Sequence, residues 1–199
     1  MSRSPARPQG SGAPKRKIGP AGRSPGPVRK SPAGGAARRN KDAYATVSAY
    51  VAIGANLGDA AANVRAAMES LAGLHRTVVT ARSSLYRSPP MGEGADGPEY
   101  VNAVVALRTG LDAEQLLAAL QRLETDAGRE RSVPNAPRTL DLDLLMFANT
   151  VRNTPELTLP HPRMRERAFV LKPLAEIAPD KVPAAALARV ADQGVQRIR

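Results

Sequence analysis

Cysteine and tryptophan are absent from this 199-residue chain, and its aromatic residues amount to two phenylalanines and four tyrosines. Without cysteine there is no disulfide-stapled scaffold and no thiolate metal centre. No run of about 18 apolar residues occurs, so no segment reads as a membrane-spanning helix. The N-terminus also lacks the apolar stretch of a secretory signal. A soluble, cytoplasmic protein is expected. No G-x-x-x-x-G-K-[ST] occurs either, and Gly92-Glu93-Gly94 falls in a loop rather than at a strand-to-helix turn, so the two common glycine-rich nucleotide cradles are excluded.

Acidic residues are nearly missing from one end of the chain. Residues 1–43 hold eleven Lys or Arg against a single acid, Asp42, while 44–199 hold 18 basic and 17 acidic residues. The formal charge of +11 is therefore a property of the tail. That tail is rich in Pro, Gly, Ser and Arg and poor in large apolar residues. It cannot offset the entropy of ordering itself and reads as disordered. Residues 44–199 suit one domain of about 150 residues.

In that body, "VSAYVAIGANLGD" reads as a strand ending in a Gly-Ala-Asn-Leu-Gly turn, with Asp59 placed as a helix N-cap. Residues 60–74 then set Val64, Ala67, Met68 and Leu71 on one helical face. A strand follows over 77–88, a turn-rich loop over 89–98 and a strand over 99–110. Asp112 caps a second helix with Leu116, Leu117, Leu120 and Leu123 inward. A charged loop at 126–137 leads into a strand at 139–147. After it come a short strand near 150–152, a loop through 153–167, a helical turn near 169–177 and an Ala-rich end. The order β α β β α β is the ferredoxin-like plan: an α+β fold, an antiparallel sheet with helices packed on it in α/β/α layers.

The strand "PRTLDLDLL" carries a local conflict. Asp141 and Asp143 share one face while Leu140, Leu142 and Leu144 take the other. Two strand steps are about 6.6 Å, where two unit charges repel by about 0.6 kcal/mol in water and about 2.5 kcal/mol at a dielectric of 20. Exposed, the pair costs little; in a cleft it calls for a cation. Arg129, Arg131 and Arg138 lie before it, and His161, Arg163, Arg165 and Arg167 after it. Carboxylates suit Mg²⁺ and guanidinium forks suit phosphate oxygens, so the set describes a site for a metal-bound polyphosphate.

These segments, in this order, resemble the 6-hydroxymethyl-7,8-dihydropterin pyrophosphokinase family. The resemblance runs from about Val47 to Pro179 through "AIGANLGD", "SSLYRSPPMG", "EYVNAVVAL", "QRLETDAGRERS", "PRTLDLDLLMF", "LTLPHPRMRERAFVLKPL" and "EIAPD". It implies transfer of the β,γ-diphosphate of ATP to the hydroxymethyl group of a reduced pterin, releasing AMP, in folate biosynthesis. It further implies that Asp141 and Asp143 hold two Mg²⁺ ions and that Arg129 and Arg138 are catalytic. Gln121, Glu124, Arg131, His161 and Arg167 would bind ATP. Ser88, Met91, Tyr100, Asn102 and Phe169 would bind the pterin, with Tyr100 and Phe169 sandwiching its ring. Three positions depart from the family pattern: Asn135 and Pro162 stand where aromatics are common, and Glu156 where some members have Arg.

On the residues alone, Tyr100 and Phe169 serve equally as core aromatics, Asn102 as a solvent-facing strand residue, and Gln121 and Glu124 as plain helix surface. Arg163 and Arg165 read as a solvated face. The alternative from another class is an RNA-binding sheet with a basic tail, but these strands lack the aromatic stacking surface and the body is nearly neutral. The tail would at most give salt-sensitive, nonspecific contacts with anionic partners. A monomer is expected.

Overall fold

The computed structural model describes residues 46–90, 97–128 and 138–198. Met91, Arg129, Arg131, Asn135 and the tail lie outside them. Strand β1 (Val47–Ala55) leads into helix α1 (Ala60–Gly73), whose N-cap Asp59 accepts from the Ala62 N–H. The buried residues of α1 are Val64, Ala67, Met68 and Leu71, the stripe its periodicity predicts.

The segment expected as one strand is two, β2 (Thr77–Arg82) and β3 (Tyr86–Ser88), both paired to β4 (Tyr100–Thr109). Ser83 causes the break. Its hydroxyl takes the place of a carbonyl and accepts from Val104 N–H at 2.9 Å, while its own N–H donates to Val104 C=O at 2.9 Å.

Helix α2 (Ala113–Asp126) opens with a capping box between Asp112 and Gln115. Its fully buried row is Ala113, Leu116, Leu120 and Glu124, whereas Leu117 and Leu123 are half-buried at the rim. A carboxylate thus occupies a core-facing position. Strand β5 (Asp141–Phe147) follows, then a small hairpin of β6 (Arg152–Asn153) and β7 (Thr158–Leu159) inside the stretch expected to begin as a strand and continue as loop. Helix α3 (Ala168–Ile177), helix α4 (Ala184–Arg189) and strand β8 (Gln196–Arg197) complete the chain.

The main sheet runs β5-β1-β4-β3-β8, with β2 also on β4, and the pairings of β1, β2, β3, β4, β5 and β8 are antiparallel. This is the ferredoxin-like α+β plan, extended by a C-terminal strand that the sequence pattern did not reveal. One sheet face, with Val51, Ile53, Ala103, Val105, Leu142 and Leu144, packs against α1 and α2. The other, with Ala52, Tyr86, Val104 and Leu145, packs against α3 and α4. A register shift at Tyr50/Val51 makes Leu145 a bulge residue, which turns Leu145 and Met146 towards the α3 side and returns Phe147 to the first core. No helix among the described residues is long and apolar enough to cross a membrane.

Candidate active site

The sheet face under α3 changes character along its length. In one row of the register Asn102, Gly54 and Asp141 stand side by side on β4, β1 and β5; in the next row Val104, Ala52 and Asp143 do. α3 covers the apolar part of this face. Beyond its first residue, Ala168, the face turns polar.

Strand parity places Asp141 and Asp143 on this polar part, and the leucines behind them are buried. The Arg138 Nη1 lies 2.8 Å from Asp141 Oδ2, and Arg167 Nη1 lies 3.8 Å from Asp143 Oδ2. Burial and, next, the charge of Asp141 push the Asp143 carboxyl above its ordinary value, against the opposing pull of His161, Arg167 and Arg138. Asp143 thus holds a carboxyl whose charged form is disfavoured by burial and by its neighbour Asp141.

The His161 backbone N–H is fastened to Leu145 C=O at 2.8 Å, and its Nδ1 accepts from Arg163 N–H at 3.2 Å. A neutral ring so bonded carries its proton on Nε2. Burial lowers the imidazole's pKa, with Asp143 pulling the other way. Arg163 and Arg165 are exposed, as expected, while Arg167 is half-buried with its guanidinium 5.4 Å from the Phe169 ring centroid.

The other half of the polar face is made of neutral polar groups. Asn102 and Ser88 are both buried, and the Asn102 Nδ2 donates to Ser88 Oγ at 2.9 Å. That bond aims the amide along the sheet rather than to solvent. Tyr100 is half-buried; burial raises its phenol pKa, and it feels the charges of Arg138 and Asp141. Ser88, Tyr100, Asn102, Arg138, Asp141, Asp143, His161, Arg167 and Phe169 thus form one connected neighbourhood.

Two residues expected on the ATP side, Gln121 and Glu124, lie on α2. Glu124 lies behind β5, 3% exposed, and its Oε1 accepts the Leu142 N–H at 2.8 Å, between the two aspartates. It supports the open edge of the strand that bears them. Gln121 is exposed on α2, and no described contact links its side chain to the neighbourhood.

Two contributors escaped the sequence reading. Asn56, 5% exposed, accepts the Arg138 N–H on Oδ1 at 2.7 Å, donates its own N–H to Arg138 C=O at 3.1 Å, and reaches Pro98 C=O at 3.4 Å. It joins the starts of β4 and β5, but in sequence it passes for an ordinary turn residue. Gly54 puts no side chain between Asn102 and Asp141: a Cβ there would lie 3.3 Å from Asn102 Oδ1.

Comparisons with known proteins bear on the domain as a whole. Residues 50–179 match the family model described as 7,8-dihydro-6-hydroxymethylpterin-pyrophosphokinase (HPPK). The chain is 47% identical over 131 residues to the 2-amino-4-hydroxy-6-hydroxymethyldihydropteridine pyrophosphokinase of Pseudomonas aeruginosa, covering 66% of this chain and 80% of that one. It is 40% identical over 148 residues to the Bacillus subtilis protein of the same name, covering 74% and 88%. Among solved structures, a Plasmodium falciparum HPPK-DHPS with pteroate superposes with a TM-score of 0.60 at 13% identity, covering 77% of this chain and 46% of that chain. That likeness concerns the fold, and this chain spans about half the length of the Plasmodium protein. A family match over residues 50–179 and relatives of this identity carry one conclusion: the chain belongs to the 7,8-dihydro-6-hydroxymethylpterin-pyrophosphokinase family.

Proposed function

We propose that the polar sheet face carries the family's reaction with its phosphate half at Asp141, Asp143, Arg138, His161 and Arg167 and its pterin half at Ser88, Tyr100, Asn102 and Phe169. The chain is an ATP-dependent diphosphokinase of folate biosynthesis. The hydroxymethyl oxygen of 6-hydroxymethyl-7,8-dihydropterin attacks the β-phosphorus of ATP. A new C–O–P linkage forms, the bridge between the α- and β-phosphates breaks, AMP leaves and the hydroxyl proton is lost.

Phosphoryl chemistry of this type asks the protein mainly for positioning and charge stabilisation. Arg138 and Arg167 supply guanidinium forks that match phosphate oxygens. The Nε2–H of His161 is a further donor for an anionic oxygen, and Arg129 and Arg131, outside the described residues, would add to the same half. Asn102, with its amide fixed by Ser88, reads the ring's hydrogen-bonding edge; Phe169 and Tyr100 hold its faces, and Met91 would add a backbone contact. A ligand lacking those polar atoms would leave buried groups unpaired, which is the source of selectivity.

The residues present fit Mg²⁺. Among the described residues no group of three or more His, Cys, Asp or Glu could hold a metal ion unaided. Two carboxylates on one strand face are instead the donor set of an ion that arrives with its phosphates and keeps waters. Asp141 and Asp143 would hold two such ions. When bound, Mg²⁺ neutralises charge on the phosphoryl oxygens.

The observation that carries this reading is the pair of carboxylates, Asp141 and Asp143, set beside the guanidinium groups of Arg138 and Arg167 on one sheet face. Incubation with ATP, Mg²⁺ and the pterin should give AMP and the pterin diphosphate in equal amounts, resolved by ion-exchange chromatography. Formation of ADP, or no turnover, would sink it.

A further inference from the structure

Arg167 occupies an unusual place for a site residue, because it is the N-cap of α3 and has no side-chain capping bond of its own. N-cap positions favour Ser, Thr, Asp and Asn, whose short side chains accept the first free N–H groups of the helix. An arginine cannot accept. Here its side chain runs the other way, towards Asp143 at 3.8 Å and over the Phe169 ring.

The missing cap comes from far along the chain. Gln193 Oε1 accepts the Ala168 N–H at 2.7 Å, and Gln193 Nε2 donates to Glu166 C=O at 2.8 Å. One amide thus grips the backbone on both sides of Arg167. A carboxamide presents an acceptor and a donor at once. Gln193 is itself held. The neighbouring Val190 and Val195 are buried in the core beneath α3, Gly194 takes a left-handed φ of 68° that a glycine adopts without strain, and Lys172 Nζ donates to Val195 C=O at 2.8 Å. The clamp lies beyond residue 179, where the match to the family model ends.

We infer that Gln193 is a positioning residue for the reaction: it fixes the backbone at Arg167, and through it the guanidinium beside Asp143 and the Phe169 ring beneath that guanidinium. It touches neither substrate. The inference rests on the phosphate-binding role proposed for Arg167. A bare capping role predicts a different outcome, namely a small stability loss with unchanged kinetics.

A double-mutant cycle on the full chain separates these. Gln193→Ala, Arg167→Ala and the double variant are compared with the parent for kcat, for KM of ATP and of the pterin, and for Tm. Misplacement of a site group by a distant change costs roughly 10- to 100-fold. Gln193→Ala should therefore lower kcat/KM for ATP by about that factor, yet by less than about 2-fold once Arg167 is already Ala, because residues acting through one another are not additive. Gln193→Glu keeps the acceptor for Ala168 N–H and should lose less than Gln193→Ala. Equal losses in both backgrounds, or a lowered Tm with parental kinetics, would overturn the inference. Parental kinetics in Arg167→Ala would remove the proposed role of Arg167 itself.

Discussion

Replacing Asp143 with Asn should stabilise the ligand-free protein while abolishing turnover. Asp141 and Asp143 project from one strand face about 6.6 Å apart, where their repulsion is about 2.5 kcal/mol at a dielectric of 20. Arg138 sits closest to Asp141, at 2.8 Å, and Arg167 approaches Asp143 only to 3.8 Å. Burial and the Asp141 charge outweigh those cations, so the Asp143 carboxyl lies above its ordinary value. An acid whose pKa rises on folding binds its proton more tightly in the folded state. The cost of its charged form is absent below the ordinary carboxylate range, grows as pH climbs and is complete above the raised value. At pH 7 Asp143 is thus a net burden on the fold, and the neutral amide removes it. Relief of the Asp141 repulsion contributes about 2.5 kcal/mol to the gain, with the relief of burial adding to it and the lost attraction of His161, Arg167 and Arg138 offsetting it. With about 2–4 °C per kcal/mol for a domain of this size, Tm should rise by about 5–10 °C where those two offsets cancel. Calorimetry in EDTA at low salt reads this directly, and the difference should shrink both at high salt and as pH falls into the carboxylate range. Mg²⁺ with a non-hydrolysable ATP analogue at 100 times its Kd should add about 2.7 kcal/mol to the parent and far less to the variant. A lower Tm for Asp143→Asn in EDTA would show that the ion pair with Arg167 dominates. An equal gain from Mg²⁺ and nucleotide would show that Asp143 is no metal ligand.

Two further changes probe the supports of the site. Glu124→Ala leaves the Leu142 N–H without its carboxylate and should cost about 1–3 kcal/mol in urea unfolding. Glu124→Gln keeps an acceptor there and should cost less; equal losses would mean that the hydrogen bond is not what matters. Gly54→Ala puts a methyl group 3.3 Å from Asn102 Oδ1, so KM for the pterin should rise several-fold while KM for ATP holds. A change in the ATP constant alone would misassign the two halves of the face.

Much of this architecture is legible in the sequence because its determinants are local. Asp59 and Asp112 precede their helices by one residue, the buried stripe of α1 follows from a 3.6-residue period, and the facing of Asp141 and Asp143 follows from strand parity. What was missed depends on partners far away in sequence. The break at Ser83 needs Val104, the role of Asn56 needs Arg138, and that of Gln193 needs Glu166 and Ala168. Glu124 shows a third kind of difficulty. Helical spacing alone puts it in the row of Leu116 and Leu120, but a carboxylate in that row reads as surface until the open strand edge it serves is known.

The placement of the site follows from where a cover stops. On the α3 side of the sheet, side chains beneath the helix must be apolar, and Ala52, Val104 and Leu145 are. The bulge at Leu145 lets β5 serve both regions, presenting carboxylates at its start and apolar side chains beneath the helix. Had α3 begun a turn earlier, it would have covered Asp143 and forced either its neutralisation or its loss. The helix instead begins at a residue that cannot cap it, and the capping bond is supplied by Gln193. A local rule is broken at Arg167 and the defect is mended from the chain's far end, which is the pattern expected where a side chain has been committed to chemistry rather than to the fold.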